Sequence, residues 1–150
     1  MSKTAPRSDA ARAAALAAEL RVLVGQLRRR LRAQAQFDDL SLSQVSVIAH
    51  LERGGAAAVT ALAQTEGVRP QSMGATVAAL EAAGLVQSAP HPSDGRQTLW
   101  SLTAACRERV KASRAAREDW LQRAILAHLD GAEQKTLAQA VVLLKRLVDA

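Results

Sequence analysis

With 150 residues, 49% of them hydrophobic, the chain is long enough to bury a real core and too apolar for a disordered tail, yet short for a two-domain enzyme. Aromatic residues make up 2% of it and tyrosine is absent, so an alanine-, leucine- and arginine-rich body of helices is expected. The formal net charge of +6 points to an anionic partner, nucleic acid first, while the single cysteine, Cys106, excludes an internal disulfide and a cysteine-cluster metal site.

No apolar run approaches the ~18 residues that a membrane-spanning helix needs. Residues 1–18 carry Arg7 and Arg12 among alanines, as a transit peptide does, but Asp9 and Glu19 interrupt the pattern. A soluble, cytoplasmic protein is expected, with no membrane partner. The first helix is predicted over residues 9–36, where Leu16, Leu20, Leu23, Val24, Leu27 and Leu31 recur at spacings of three and four. Arg28, Arg29, Arg30 and Arg32 crowd its last turns, where cations complement the helix dipole on a solvated face.

Phe37-Asp38-Asp39 breaks that pattern. Ser41 stands three residues before Gln44, the spacing of a capping box, so a second helix begins there and buries Val45 and Ile48, with Leu51 as a further candidate. Gly54-Gly55 ends it. Thr60 is expected to cap a short third helix over residues 61–66, and Gly67 to stop it. Pro70 suits the first turn of a fourth helix, whose buried face is Met73, Val77 and Leu80 and which Gly84 terminates. Two short helices joined by a glycine-containing turn are the mark of a helix-turn-helix.

After Gly84 the period shortens toward two. Residues 85–88 and 98–102 read as strands, separated by the dense turn signal of Pro90-His91-Pro92-Ser93-Asp94-Gly95. Such a hairpin is marginal alone and must pack on the helices, with Leu99, Leu102 and Trp100 as candidates for that contact. Thr103 caps a long fifth helix to about residue 128, with Val110, Trp120, Leu121, Ile125 and Leu129 among its apolar members. Asp130 and Glu133 form a second cap pair, and the last helix reaches Val148 through Leu137, Val141, Leu144 and Leu147.

The order of these elements, together with Leu40-Ser41-Leu42-Ser43-Gln44, Val68-Arg69-Pro70-Gln71-Ser72-Met73, Leu80-Glu81-Ala82-Ala83-Gly84-Leu85-Val86, Asp94-Gly95-Arg96 and Leu102-Thr103, resembles the MarR family of bacterial regulators. The likeness covers nearly the whole chain. It implies a mainly α fold, a winged helix-turn-helix with a two-stranded β wing and N- and C-terminal dimerisation helices. Residues 1–150 would then form a single domain, with dimerisation helices at about 9–36 and 104–148 and a DNA-binding lobe at about 41–102. It further implies a homodimer on double-stranded DNA at a pseudo-palindromic operator. Family members usually repress, and are released by small phenolic or aromatic effectors or by oxidation of a cysteine. The lining of an effector site is not readable from the residues.

On that reading the fourth helix presents Gln71, Ser72 and Thr76 to the major groove. Gln71 can meet the paired donor and acceptor of adenine, and Ser72 and Thr76 a base edge or a phosphate. Arg69 and the free amides at the helix start suit a phosphate. Arg96 fits the narrow, negative minor groove of an A/T-rich segment. In the family the acid two residues earlier, here Asp94, pairs with this arginine and holds it for insertion, while Gly95 permits the turn.

Within residues 60–109 the charges cancel: Arg69, Arg96, Arg107 and Arg109 against Glu66, Glu81, Asp94 and Glu108. The lobe is therefore expected to bind DNA through a few placed groups and with a shallow salt dependence. The same neutrality motivates an alternative, a winged-helix module that pairs with protein instead of DNA. Cys106 stands where the family usually has glycine. Arg107 and the helix start favour a lowered thiol pKa and a redox-responsive regulator, whereas burial favours an inert core residue. His50, His91 and His128 lack a zinc-ligand spacing, and no nucleophile motif or phosphate loop is present, so no enzyme, metal or cofactor is expected.

Overall fold

The structure, a computed structural model, describes residues 5–150, so the first residues of the alanine-rich opening lie outside the described residues. In chain order the elements are α1 (Ala5–Ala33), α2 (Leu42–Gly54), α3 (Val59–Glu66), α4 (Pro70–Ala82), β1 (Val86–Pro90), β2 (Thr98–Leu102), α5 (Ala104–His128) and α6 (Gly131–Val148). Among the described residues no helix is long and apolar enough to cross a membrane. The chain divides into two compact units: residues 36–115, and the described residues through Ala35 together with Ala116–Ala150.

Unit 36–115 is the winged helix-turn-helix. The predicted capping box starts α2, with the Ser41 amide donating to Gln44 Oε1 at 2.8 Å and the Gln44 amide to Ser41 Oγ at 3.2 Å. The buried stripe of α2 is Val47, Ile48 and Leu51. Val45, expected inside, is only half-buried, because the stripe is centred on positions 47, 48 and 51 and leaves it on the flank. The third helix also starts earlier than Thr60: Ala58 is its N-cap and makes no side-chain cap bond, so Thr60 lies inside the helix. Gly67 ends α3 as expected, at φ +67°, a conformation that costs a side chain about 1–2 kcal/mol.

These helices close over one core. Leu62, Met73, Leu80, Val47, Val77 and Cys106 are its largest fully buried apolar members, and Phe37, Leu40, Ala57, Val59 and Trp100 pack against it. Removing the end of a leucine at such a site costs about 2–5 kcal/mol. The strands pair antiparallel in the register Val86↔Leu102, Ser88↔Trp100 and Pro90↔Thr98. Of the residues expected to anchor the hairpin, Leu102 is 3% exposed and Trp100 packs on the core, whereas Leu99 stays at its margin.

Two further ties hold the wing. Ala57 and Trp100 exchange backbone hydrogen bonds of 2.9 and 2.8 Å, so the loop before α3 adds a bridge to β2. At the hairpin base the Thr103 amide donates to Leu85 O at 3.1 Å, and Thr103 Oγ1 donates to Gly84 O at 2.7 Å. The same hydroxyl accepts from the Cys106 amide at 3.1 Å, capping α5 as predicted.

In the other unit, α1 ends at Ala33 rather than 36, its last turn closing through Gln34 N to Leu31 O and Ala35 N to Arg32 O. Asp130 and Glu133 form the predicted capping box at the start of α6, with bonds of 2.9 and 2.8 Å. Both helices keep apolar side chains in solvent: Leu16, Leu23, Val24 and Leu27 on α1, and Leu137, Val141, Leu144 and Leu147 on α6. No residue of α6 is buried.

Candidate nucleic-acid interface

The start of α4 is exposed and electrically open. Arg69 is its N-cap, in extended backbone and without a side-chain cap bond, and Pro70 occupies the first helical position. The amides of Gln71 and Ser72 thus begin a helix whose positive end has no side chain assigned to it. Met73, Val77 and Leu80 are fully buried, which turns Gln71 and Ser72 to solvent with Arg69. Thr76 is half-buried, and its hydroxyl donates to Ser72 O at 3.2 Å. That internal bond leaves its methyl group and its lone pairs for any outside partner.

The wing loop carries Arg96 in solvent. The resemblance led to the expectation of a pair between the Asp94 carboxylate and the Arg96 guanidinium. Instead, Asp94 Oδ1 accepts from the Arg96 backbone amide at 3.1 Å, and among the described residues no ion pair joins the two side chains. Asp94 shapes the turn and leaves the guanidinium unengaged. Gly95, expected to permit the turn, does not have a positive φ, and a Cβ added there meets nothing within 4 Å. The positive-φ glycines are Gly55, Gly67 and Gly84, each just after a helix.

The cancelled charges of residues 60–109 are not all available. Arg109 donates through Nε to Gln36 O at 2.8 Å and through Nη1 to Asp39 Oδ2 at 3.2 Å, and it lies 4.7 Å over the Phe37 ring. This arginine fastens the segment before α2 and, by its hydrogen bonds, holds the Asp39 carboxyl below its ordinary value. Glu66 likewise accepts from Ser46 Oγ at 2.7 Å, tying α3 to α2. Arg69 and Arg96 take part in no ion pair among the described residues. Sequence reasoning missed Arg109, since its partners lie about 70 positions away and no local pattern announces them.

Cys106 is fully buried. Burial pushes its thiol up, against the smaller opposing pull of Arg109 and Arg107. The expected depression by Arg107 and the helix start does not prevail. On the same unit a cavity of about 480 Å³ is lined by Leu51, Glu52, Leu102, Arg107, Val110, Lys111 and Arg114, among others. Arg114 is paired with Glu52, whereas Arg107 and Lys111 make no ion pair among the described residues.

The MarR family model matches residues 38–97, which span α2, the helix-turn-helix and the wing loop. An HTH-type transcriptional regulator of Mycobacterium tuberculosis is 43% identical over 136 residues, 91% of this chain and 94% of that one. A transcriptional regulator protein of Pseudomonas aeruginosa, solved by crystallography, is 38% identical with a TM-score of 0.76, covering 93% of this chain and 96% of its own. A MepR mutant of S. aureus, solved bound to an oligodeoxyribonucleotide, has the same fold at a TM-score of 0.67 and 15% identity, over 87% of this chain and 96% of its own. The chain belongs to the MarR family of DNA-binding transcriptional regulators.

Proposed function

We propose that this regulator is a homodimeric repressor that grips a pseudo-palindromic operator in double-stranded DNA with α4 in the major groove and Arg96 of the wing in the flanking minor groove. The observation that carries the proposal is the pairing, on one winged lobe, of an exposed uncapped helix start with a wing arginine that makes no ion pair among the described residues. Arg69 and the first amides of α4 hold a phosphate, Gln71, Ser72 and Thr76 address bases, and Asp94 sets the backbone from which Arg96 projects. An arginine in a narrow groove reads width more than base identity. The chain's task is binding rather than catalysis.

Dimerisation is supported by the apolar side chains that α1 and α6 leave in solvent, a pattern that marks an interaction surface. Two recognition helices would then meet half-sites roughly 10 base pairs apart. Release by a small phenolic or aromatic effector is supported by family membership. The 480 Å³ cavity, with Leu102 and Val110 beside Arg107 and Lys111, suits an aromatic ring bearing an acidic oxygen. The burial of Cys106 argues for effector control over redox control.

The test is a selection for duplexes bound by the full chain, followed by titration of the winning duplex with wild type and Arg96→Ala. A palindromic winner whose binding collapses in the variant supports the mechanism. Equal affinity for both proteins sinks the wing contact, and a selection that enriches no sequence sinks operator recognition altogether. Benzoate and phenol added to the complex, with Arg107→Ala as the comparison, test the effector.

A further inference from the structure

The wing loop makes most of its hydrogen bonds through one ring nitrogen and one carboxylate. His91 Nδ1 accepts from the amide of Ser93 at 3.1 Å and from the amide of Asp94 at 3.1 Å, and Ser93 Oγ lies 3.2 Å from the same atom. Asp94 then passes the order on: its Oδ1 accepts from the Arg96 amide, and its carbonyl accepts from Gln97 N at 3.0 Å. The circuit closes where the His91 amide donates to Gln97 O at 2.9 Å. Side chains that cap a turn in this way are usually aspartate or asparagine, whose oxygen reaches backbone amides two and three residues on. Here an imidazole does it.

We infer that His91 is a positioning residue for DNA binding, acting through Arg96: its unprotonated Nδ1 gathers the Ser93 and Asp94 amides and so fixes the turn that presents the arginine. Two N–H groups aimed at one nitrogen require that nitrogen to carry a lone pair, which puts the ring proton on Nε2. The ring is half-buried, so it is held as part of the loop. Apart from Asp94 and Arg96, no charged side chain lies between Val86 and Leu102. Order in this loop therefore rests on hydrogen bonding rather than on ion pairs.

The inference rests on the reading that Arg96 enters the groove, and a double-mutant cycle separates the two. Wild type, His91→Ala, His91→Asn, Arg96→Ala and the double variant are titrated against the selected duplex at one salt concentration. His91→Ala is expected to lose about five- to tenfold in affinity, the worth of two partly exposed hydrogen bonds. His91→Asn, whose amide oxygen can take the place of Nδ1, is expected to bind within about twofold of wild type. In the Arg96→Ala background the alanine at position 91 is expected to cost nothing further. Imidazole nitrogen NMR of the free protein should show the neutral ring as the tautomer with its proton on Nε2. If Arg96→Ala binds normally, the wing reading falls and this inference with it. If Arg96→Ala is impaired while His91→Ala binds as wild type, or loses as much with Arg96 absent as with it present, only the role of His91 is overturned. A proton on Nδ1, or failure of His91→Asn to rescue, also overturns it.

Discussion

The near-neutral lobe makes a quantitative prediction about salt. Each phosphate neutralised by an arginine or lysine releases counterions and adds about −0.9 to the slope of log K against log salt. Arg109 is committed to Asp39 and Gln36 O and Arg107 lies on α5, so the arginines of residues 60–109 at the start of α4 and on the wing are Arg69 and Arg96. A dimer then offers four such groups, for a slope of about −3.6 and a loss of about 150-fold in affinity between 50 and 200 mM salt. Arg96→Ala should halve the slope to about −1.8 and shrink that loss to about twelvefold, and Arg69→Ala should do the same. Fluorescence anisotropy of a labelled duplex across a potassium chloride series reads both numbers. A wild-type slope steeper than about −6 would mean that basic residues elsewhere, such as the arginines at the end of α1, carry the binding. An unchanged slope in Arg96→Ala would mean that this side chain neutralises nothing, and the placement of the wing would be wrong.

Three other outcomes follow from the local physics. Cys106, buried and with its thiol pushed up, should resist peroxide and thiol reagents in the native state and react only on unfolding; rapid labelling of the folded protein, or peroxide-weakened DNA binding lost in Cys106→Ala, would refute this. Asp39 is held below its ordinary value by Arg109, so its contribution to stability is full above the usual carboxylate range and is lost as pH falls through the lowered value. Urea unfolding of wild type and Asp39→Asn should therefore converge at acid pH and differ at neutral pH; a constant difference would contradict the pairing. Gly84→Ala should cost roughly 1–2 kcal/mol, because Gly84 sits at φ +73°. Gly95→Ala should change stability by less than about 0.5 kcal/mol. A Cβ meets nothing within 4 Å at either site, so thermal melts of the pair isolate the backbone term.

The two capping boxes, the glycine stops after α3 and α4, Pro70 at a helix start and the Met73-Val77-Leu80 face were all legible, because each is decided by residues three or four apart on one element. For the residues proposed to meet DNA, the local signals reached as far as exposure. Arg69, Gln71, Ser72 and Arg96 lie in solvent where the turn and helix signals put them. Thr60 misled because a threonine before an apolar stretch has the look of a cap. The helix in fact begins at Val59, where the loop carrying Ala57 bridges to Trp100.

What the sequence by itself determined is therefore the series of elements and the winged fold, since periodicity and end signals are local and survive any packing. Only the tertiary structure decided how the polar groups are spent. It assigned Arg109 to Asp39 and Gln36 O, buried Val47 in place of Val45, and stitched Ala57 to Trp100. The physical reason is that each of these contacts joins groups far apart in sequence: a polar group bonds to whatever the fold brings within about 3 Å, and an apolar side chain is buried where neighbouring elements close over it. That choice belongs to the assembled lobe, and no spacing along the chain records it.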